Sequence, residues 1–249
     1  ASTPQNIIWA PANRSSPYYT LNQGASWTAI TLPGVSSWSN FDYAYYLVQR
    51  SVTADRVLAN TFYLYYPGYG VFKTTNGGVA WTNVHPGYIE SNSSLSGYNS
   101  TIMSVPGYAG NLFYTGGWQS GSTASNPVNE PFYRSTDGGA TWTAVPNILA
   151  VSCFGFGAPA SGQSYPAIYI VGYVSNTLGI WRSDDNAQTW TNIGTYPLGS
   201  LDTITTIAGD PNIYGQVYVG FGGGGYAYLP AGSVTQQPTP MAPTNFIVD

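Results

Sequence analysis

Charge is what this sequence of 249 residues has least of. Six Lys and Arg, ten Asp and Glu and one histidine leave it only 6% charged, against about 25% in an average soluble protein. With six scattered basic residues and a net charge of −4, no cationic face can be assembled, which argues against nucleic acid as a partner. The single cysteine, Cys153, excludes an intrachain disulfide. Its setting, Val151-Ser-Cys-Phe-Gly-Phe156, reads as a buried strand position, and His85 is the one imidazole that a thiol nucleophile would have as its base. No apolar run approaches the roughly 18 residues of a membrane span. Ala1-Ser2-Thr3-Pro4 lacks the charged and apolar regions of a signal peptide and reads as a processed or truncated end. Helical periodicity is nowhere convincing. The sequence points to no cofactor and no metal site.

What is present is apolar, aromatic and neutral-polar. Hydrophobic residues make up 43% of the chain and aromatics 16%, enough for a core. The surface must then come from Ser, Thr, Asn, Gln, Tyr and Gly. Such a surface changes charge little with pH, which suits an acidic habitat or a glycosylated protein. Short runs such as Thr61-Phe-Tyr-Leu-Tyr-Tyr66, Ala167-Ile-Tyr-Ile-Val171 and Gln216-Val-Tyr-Val219 read as strands.

Four segments repeat: Tyr19-Thr-Leu-Asn-Gln-Gly-Ala-Ser-Trp27, Lys73-Thr-Thr-Asn-Gly-Gly-Val-Ala-Trp81, Arg134-Ser-Thr-Asp-Gly-Gly-Ala-Thr-Trp142 and Arg182-Ser-Asp-Asp-Asn-Ala-Gln-Thr-Trp190. The common pattern is Ser/Thr-x-Asp/Asn-x-Gly/Ala-x-x-Trp-Thr, an Asp-box, with tryptophans 54, 61 and 48 residues apart. That interval suits a four-stranded blade with its loops. The side chains of Asn22, Asn76, Asp137 and Asp185 can accept bonds from backbone N–H groups further along and close a turn. Gly24, Gly78 and Gly139 permit the positive φ that the reversal needs. Trp27, Trp81, Trp142 and Trp190 then open the next strand and are expected to plug the space between sheets. These acids and amides are turn formers, not a catalytic series. Lys73, Arg134 and Arg182 share one repeat position and read as blade-surface groups.

The expected fold is all-β: propeller blades of four-stranded antiparallel sheets with Asp-box hairpins, forming an incomplete propeller. Residues 1–230 hold three full blades (about 45–84, 100–145 and 150–193) and a partial blade at each end. Residues 231–249 read as a Pro/Thr/Gln linker and the possible start of a further β segment.

Several stretches resemble the C-terminal part of the family 74 glycoside hydrolases, the xyloglucanases and related endoglucanases. They are Val52-Thr-Ala-Asp-Arg-Val-Leu-Ala-Asn-Thr-Phe-Tyr63, Ser104-Val-Pro-Gly-Tyr-Ala-Gly-Asn-Leu-Phe113, Phe154 to Gly172, and Gly209-Asp-Pro-Asn-Ile-Tyr-Gly-Gln-Val-Tyr-Val-Gly220. The resemblance implies two tandem propellers flanking a glycan cleft. It also implies inverting hydrolysis by two aspartates about 6.5–9.5 Å apart. Neither catalytic motif is found here, so no catalytic residue is assigned and the chain alone is expected to be inactive. The missing N-terminal propeller segment, or another chain, would complete the fold.

Setting aside box members, strand-matched acids and the terminal Asp249 leaves Asp42, Glu90, Glu130 and Asp202, all in apparent loops. Asp42 is the weak acid candidate because aromatics crowd it. Trp38, Trp118 and Tyr43 are the candidates for stacking on a polysaccharide, β-glucan or xyloglucan. Asn13, Asn92 and Asn99 head N-glycosylation triplets. The resulting reading is a secreted, extracellular part of a xyloglucanase-like hydrolase that forms one wall of a glycan cleft. The alternative is a non-catalytic scaffold, filament subunit or carbohydrate-binding adhesin. A sialidase would need an arginine triad that Arg14, Arg50 and Arg56 do not supply.

Overall fold

The computed structural model describes residues 3–11, 15–38, 50–89, 100–117, 131–195, 204–222 and 225–232. Among the described residues the fold is all-β, with five antiparallel sheets in two compact units, Ala1–Val145 and Pro146–Asp249. In the first unit, the first sheet is β1 (Ile7–Trp9), β2 (Tyr18–Thr20) and β3 (Thr28–Ala29). The second sheet is β4 (Val52–Ala54), β5 (Phe62–Tyr66), β6 (Gly70–Thr74) and β7 (Thr82–Pro86). The third is β8 (Thr101–Ser104), β9 (Leu112–Thr115), β10 (Tyr133–Ser135) and β11 (Thr143–Ala144). In the second unit, the fourth sheet is β12 (Ile148–Gly157), β13 (Ala167–Val174), β14 (Thr177–Ser183) and β15 (Thr191–Gly194). The fifth is β16 (Ile204–Gly209), β17 (Val217–Phe221) and β18 (Tyr226–Leu229). Each sheet is a meander in which every strand pairs with its neighbour in sequence.

The repeated motif builds the hairpin between the last two strands of its sheet. In the third sheet the Ser135 hydroxyl donates to Asp137 Oδ1 at 2.8 Å and accepts the Gly139 N–H at 3.0 Å. Asp137 Oδ1 also accepts the N–H groups of Ala140 and Thr141, at 3.1 and 3.0 Å. The Trp142 indole N–H closes the turn on the Gly139 carbonyl at 3.0 Å. Thr74 and Asn76, Thr20 and Asn22, and Ser183 and Asp185 repeat the hydroxyl-to-oxygen bond at 2.9, 2.7 and 2.8 Å. Positive φ occurs at Gly24, Gly78 and Gly139 as expected, and Ala187 takes the same conformation at 65°. The residue before it is left-handed too, at Gln23 and Asn186 as well as at Gly77 and Gly138.

A second turn repeats at the same end of three sheets and joins the first strand to the second in the second, third and fifth. Asp55 N–H donates to the Thr61 carbonyl at 2.9 Å, Val105 N–H to Asn111 at 2.9 Å, and Asp210 N–H to Gln216 at 2.8 Å. The two turns touch, because Gly77 N–H bonds the Asn60 carbonyl at 2.8 Å and Gly138 N–H bonds that of Gly110 at 2.9 Å. By these landmarks the first sheet holds the equivalents of strands two to four, and the fifth holds strands one to three.

The period of two divides each strand between two interfaces. From β5, Phe62, Leu64 and Tyr66 join a core with Ile30, Leu32, Phe72 and Trp81, packed against Ile8 and Tyr19 of the first sheet. Tyr63 and Tyr65, pointing the other way, join Ile102, Leu112 and Tyr114 of the third sheet, with Trp142 against them. In the second unit Ala167, Tyr169 and Val171 pack on Ile204, Ile207, Val217 and Val219. First strands approach closely: the Ser104 hydroxyl donates to the Ala54 carbonyl across β8 and β4. One expectation fails here. Trp81 is 8% exposed, but Trp27 is 41% exposed, edge-on to Trp9 at 6.3 Å. Burial of the box tryptophan comes from a neighbouring sheet, and among the described residues none covers that face of the first sheet.

Candidate functional site

Five of the ten carboxylates lie in described residues, and each is committed to structure. Asp55, 3% exposed, accepts the Val57 and Leu58 N–H groups on Oδ1, both at 2.8 Å. Its Oδ2 accepts the Tyr63 hydroxyl at 3.0 Å and the Gly110 N–H of the third sheet at 2.9 Å. Burial alone would raise its pKa, but the N–H bonds from Leu58, Gly110 and Val57 and the Tyr63 hydroxyl outweigh it and hold the carboxyl below its ordinary value. Burial and the Asp55 charge push the Tyr63 phenol up in turn. Asp210 caps its own turn through the N–H groups of Asn212 and Ile213, at 2.8 and 3.0 Å. Burial acts to raise Asp137, but bonds from Thr141, Ser135 and Ala140 together outweigh it and lower the carboxyl to about 2. Asp185 is lowered in the same way by Thr189, Ser183 and Gln188.

Asp184 accepts Arg182 Nε at 2.9 Å and the Tyr214 hydroxyl at 2.9 Å. Burial, then the bond to Asp184, pushes the Tyr214 phenol up to about 12. Arg182 is therefore no free surface group: its side chain is 11% exposed and its guanidinium lies 4.8 Å from the centre of the Tyr214 ring. Lys73 over Tyr63 and Arg134 over Phe113, at 5.7 and 5.9 Å, repeat the arrangement of a cation on a ring. Their shared repeat position reads as blade surface, and each lies there over a ring from a different strand or turn.

The two repeated turns occupy one end of each sheet. At the opposite end is Trp38, after β3. Its half-buried ring stacks on Tyr66 at 5.2 Å and 14°. Tyr66 stacks in turn on Tyr69 at 4.7 Å and 18°, and its hydroxyl bonds the Ser37 carbonyl at 2.9 Å. Trp38 is thus one end of a three-ring stack packed against the core of the second sheet.

Tyr43, Asp42, Trp118, Glu90, Glu130, Asp202, Asn13, Asn92 and Asn99 lie outside the described residues. The connections that contain them run between β3 and β4, β7 and β8, β9 and β10, β15 and β16, and β1 and β2. In every case the described strands on either side end away from the box turns. The end with the regular turns is held by bonds within and between those turns, and Trp38 is the described candidate at the other end. Among the described residues no three His, Cys, Asp or Glu side chains come together, and no helix is long and apolar enough to cross a membrane.

Four-stranded meanders stacked face to face and joined by repeated hairpin turns define β-propeller blades. No protein-family model matches the chain. Curated relatives do: it is 30% identical over 241 residues to a xyloglucanase of Paenibacillus sp, covering 96% of this chain and 21% of that protein. It is 32% identical over 240 residues to xyloglucanase Xgh74A of Acetivibrio thermocellus, covering 96% and 25%. Among solved structures, a family 74 glycoside hydrolase from Niastella koreensis superposes with a TM-score of 0.65 at 28% identity, over 90% of this chain and 29% of that one. YCF48 bound to D1 peptide, at 14% identity and a TM-score of 0.53, shares the fold alone. The chain is homologous to a portion of the family 74 glycoside hydrolases and spans about a fifth to a quarter of the length of the curated relatives it matches.

Proposed function

We propose that this chain is the C-terminal propeller part of a secreted xyloglucanase-like glycoside hydrolase. It forms one wall of a glycan-binding cleft and is inactive by itself. The observation that carries the reading is the division of labour within each sheet. All five described carboxylates are held in turns or ion pairs, so none is free to act as a general acid or base. Trp38 meanwhile stands at one end of a ring stack with Tyr66 and Tyr69. A braced flat ring costs little conformational entropy on meeting a sugar ring, and it prefers apolar faces such as the C–H faces of glucose and xylose.

The rest of the polypeptide supplies the catalytic aspartates and the opposite wall. Calorimetric titration of the chain with xyloglucan oligosaccharides tests this. Trp38→Ala should weaken binding at least about tenfold, the equivalent of about 1.4 kcal/mol. Trp38→Phe should keep most of it, with melting temperatures taken to separate binding from folding. Undetectable binding by the parent chain would favour a plain scaffold, and unchanged affinity in Trp38→Ala would remove Trp38 from the wall.

A further inference from the structure

Between the fourth and fifth sheets lies a hollow of about 200 Å³. Its lining is Ile180 and Ile193 from β14 and β15, Val217 and Val219 from β17, and Ala227 and Leu229 from β18. The register of the repeats shows what belongs there. Ile180, two residues before Arg182, is the counterpart of Val71, two before Lys73. Ile193, three after Trp190, is the counterpart of Val84, three after Trp81. The seven-residue turns ending at Gln216 and Asn111 make Val217 the counterpart of Leu112 and Val219 that of Tyr114. Ala227 faces Val219 as Tyr133 faces Tyr114.

Between the second and third sheets, Val71, Leu112, Tyr114, Tyr133 and Val84 form one apolar cluster, and the side chain packed into it is Trp142. Trp142 meets Tyr114 edge-on at 6.2 Å. It enters from the box turn that leads into β11, the fourth strand of its sheet. The fifth sheet ends at its third strand: among the described residues β18 pairs with β17 alone. The hollow therefore sits where the other interface keeps its tryptophan, beside a strand edge where the other sheet keeps its fourth strand.

We propose that a fourth strand adds antiparallel to β18 and seats an indole in this hollow, and, since no tryptophan follows Trp190 in the sequence, that it comes from polypeptide outside these 249 residues. The proposal rests on the reading of this chain as part of a larger propeller. The chemistry of recognition is specific. Backbone N–H and C=O groups of Tyr226 and Tyr228, which face the open edge, would pair as those of Phe132 and Arg134 pair with Val145 and Thr143, and one large flat apolar ring would fill the space. Smaller walls than in the equivalent cluster, Ala227 for Tyr133 and Val219 for Tyr114, leave room for the ring without rearrangement.

The probe is a synthetic peptide with the sequence of residues 138–147, the fourth-strand segment that carries Trp142, added to the full chain. Binding is followed by calorimetry, and amide hydrogen exchange is read at Tyr226 and Tyr228. The expected result is saturable binding, at least about tenfold weaker binding of the same peptide with Trp replaced by Ala, and new protection of the Tyr226 and Tyr228 amides. An Ala227→Trp chain, its hollow filled from the β18 side, should lose peptide binding, with circular dichroism used to confirm that it still folds. If that variant does not fold, the Trp-to-Ala peptide comparison decides alone. Equal binding of the two peptides, or no binding, would overturn the proposal. So would protection of both amides in the peptide-free chain together with refusal of the peptide, since an occupant within the chain would then hold the place. Xyloglucan affinity measured on the same samples keeps the two readings apart: its loss with peptide binding intact sinks the glycan wall and leaves the strand site standing.

Discussion

Replacing Asp55 by Ala should destabilise the first unit by about 3 kcal/mol. Four donors converge on this carboxylate: the N–H groups of Val57, Leu58 and Gly110 and the Tyr63 hydroxyl. Val57 and Leu58 are 50% and 42% exposed, so water can replace their lost partner at small cost. Tyr63 is fully buried, and Gly110 lies against the neighbouring sheet. Each of these two would lose its partner at about 1–2 kcal/mol, and the total is about 3 kcal/mol. At about 2–4 °C per kcal/mol for a chain of this size, the melting temperature should fall by roughly 10 °C.

The assay is urea denaturation followed by tryptophan fluorescence, with Asp55→Asn and Tyr63→Phe alongside. Asp55→Asn keeps one accepting oxygen and should lose about half the effect, and Tyr63→Phe removes a donor together with its need for a partner and should cost about 1 kcal/mol. Because the folded carboxyl sits below its ordinary value of 3.8, its contribution is present above that pH and is lost as pH falls through the folded pKa. The gap between the parent and Asp55→Ala should therefore close below about pH 4. An Asp55→Ala protein within about 0.5 kcal/mol of the parent at pH 7 would refute the role of this residue as a clamp between sheets.

Asp137→Ala should cost about 1 kcal/mol at pH 7 by removing the cap of its turn, whereas Asp137→Asn, the choice already made at Asn22 and Asn76, should cost less; paired denaturation curves check both. With its folded pKa at about 2, the Asp137 contribution should fade as pH drops from 4 toward 2. Gly155→Ala would place a methyl 2.2 Å from the Ile207 carbonyl oxygen, forcing β12 from β16 at a cost of about 3 kcal/mol. Gly194→Ala, whose nearest neighbour is 3.6 Å away, should change stability by less than about 0.5 kcal/mol in the same assay. Trp142→Ala should cost about 4 kcal/mol and open a cavity of its own between the second and third sheets.

The propeller class was legible because the box turn is written in side chains. A hydroxyl, an Asp or Asn, a left-handed residue and a tryptophan must each stand at a fixed place. The second turn was not read as a repeat, although its three copies lie in stretches already singled out. Asp55, Val105 and Asp210 open it with different side chains because backbone bonds carry it. Exposure of Trp27 was illegible for another reason: its sequence position is that of buried Trp81, and the difference lies in whether a sheet covers that face. At the candidate site, Trp38 stood out as a loop tryptophan, but its bracing by Tyr66 and Tyr69 joins residues about 30 positions apart. Asp55 was set aside as a strand residue because nothing in the local sequence shows Gly110 reaching it from the next sheet.

The most direct measurement is the release of reducing ends from xyloglucan by the purified chain, at several pH values and at high protein concentration. We predict none above a buffer blank, because the described carboxylates are all held in structure and the proposed function puts the catalytic pair elsewhere in the polypeptide. Release of oligosaccharides that scales with protein concentration would contradict it and would place a working acid and base within these 249 residues.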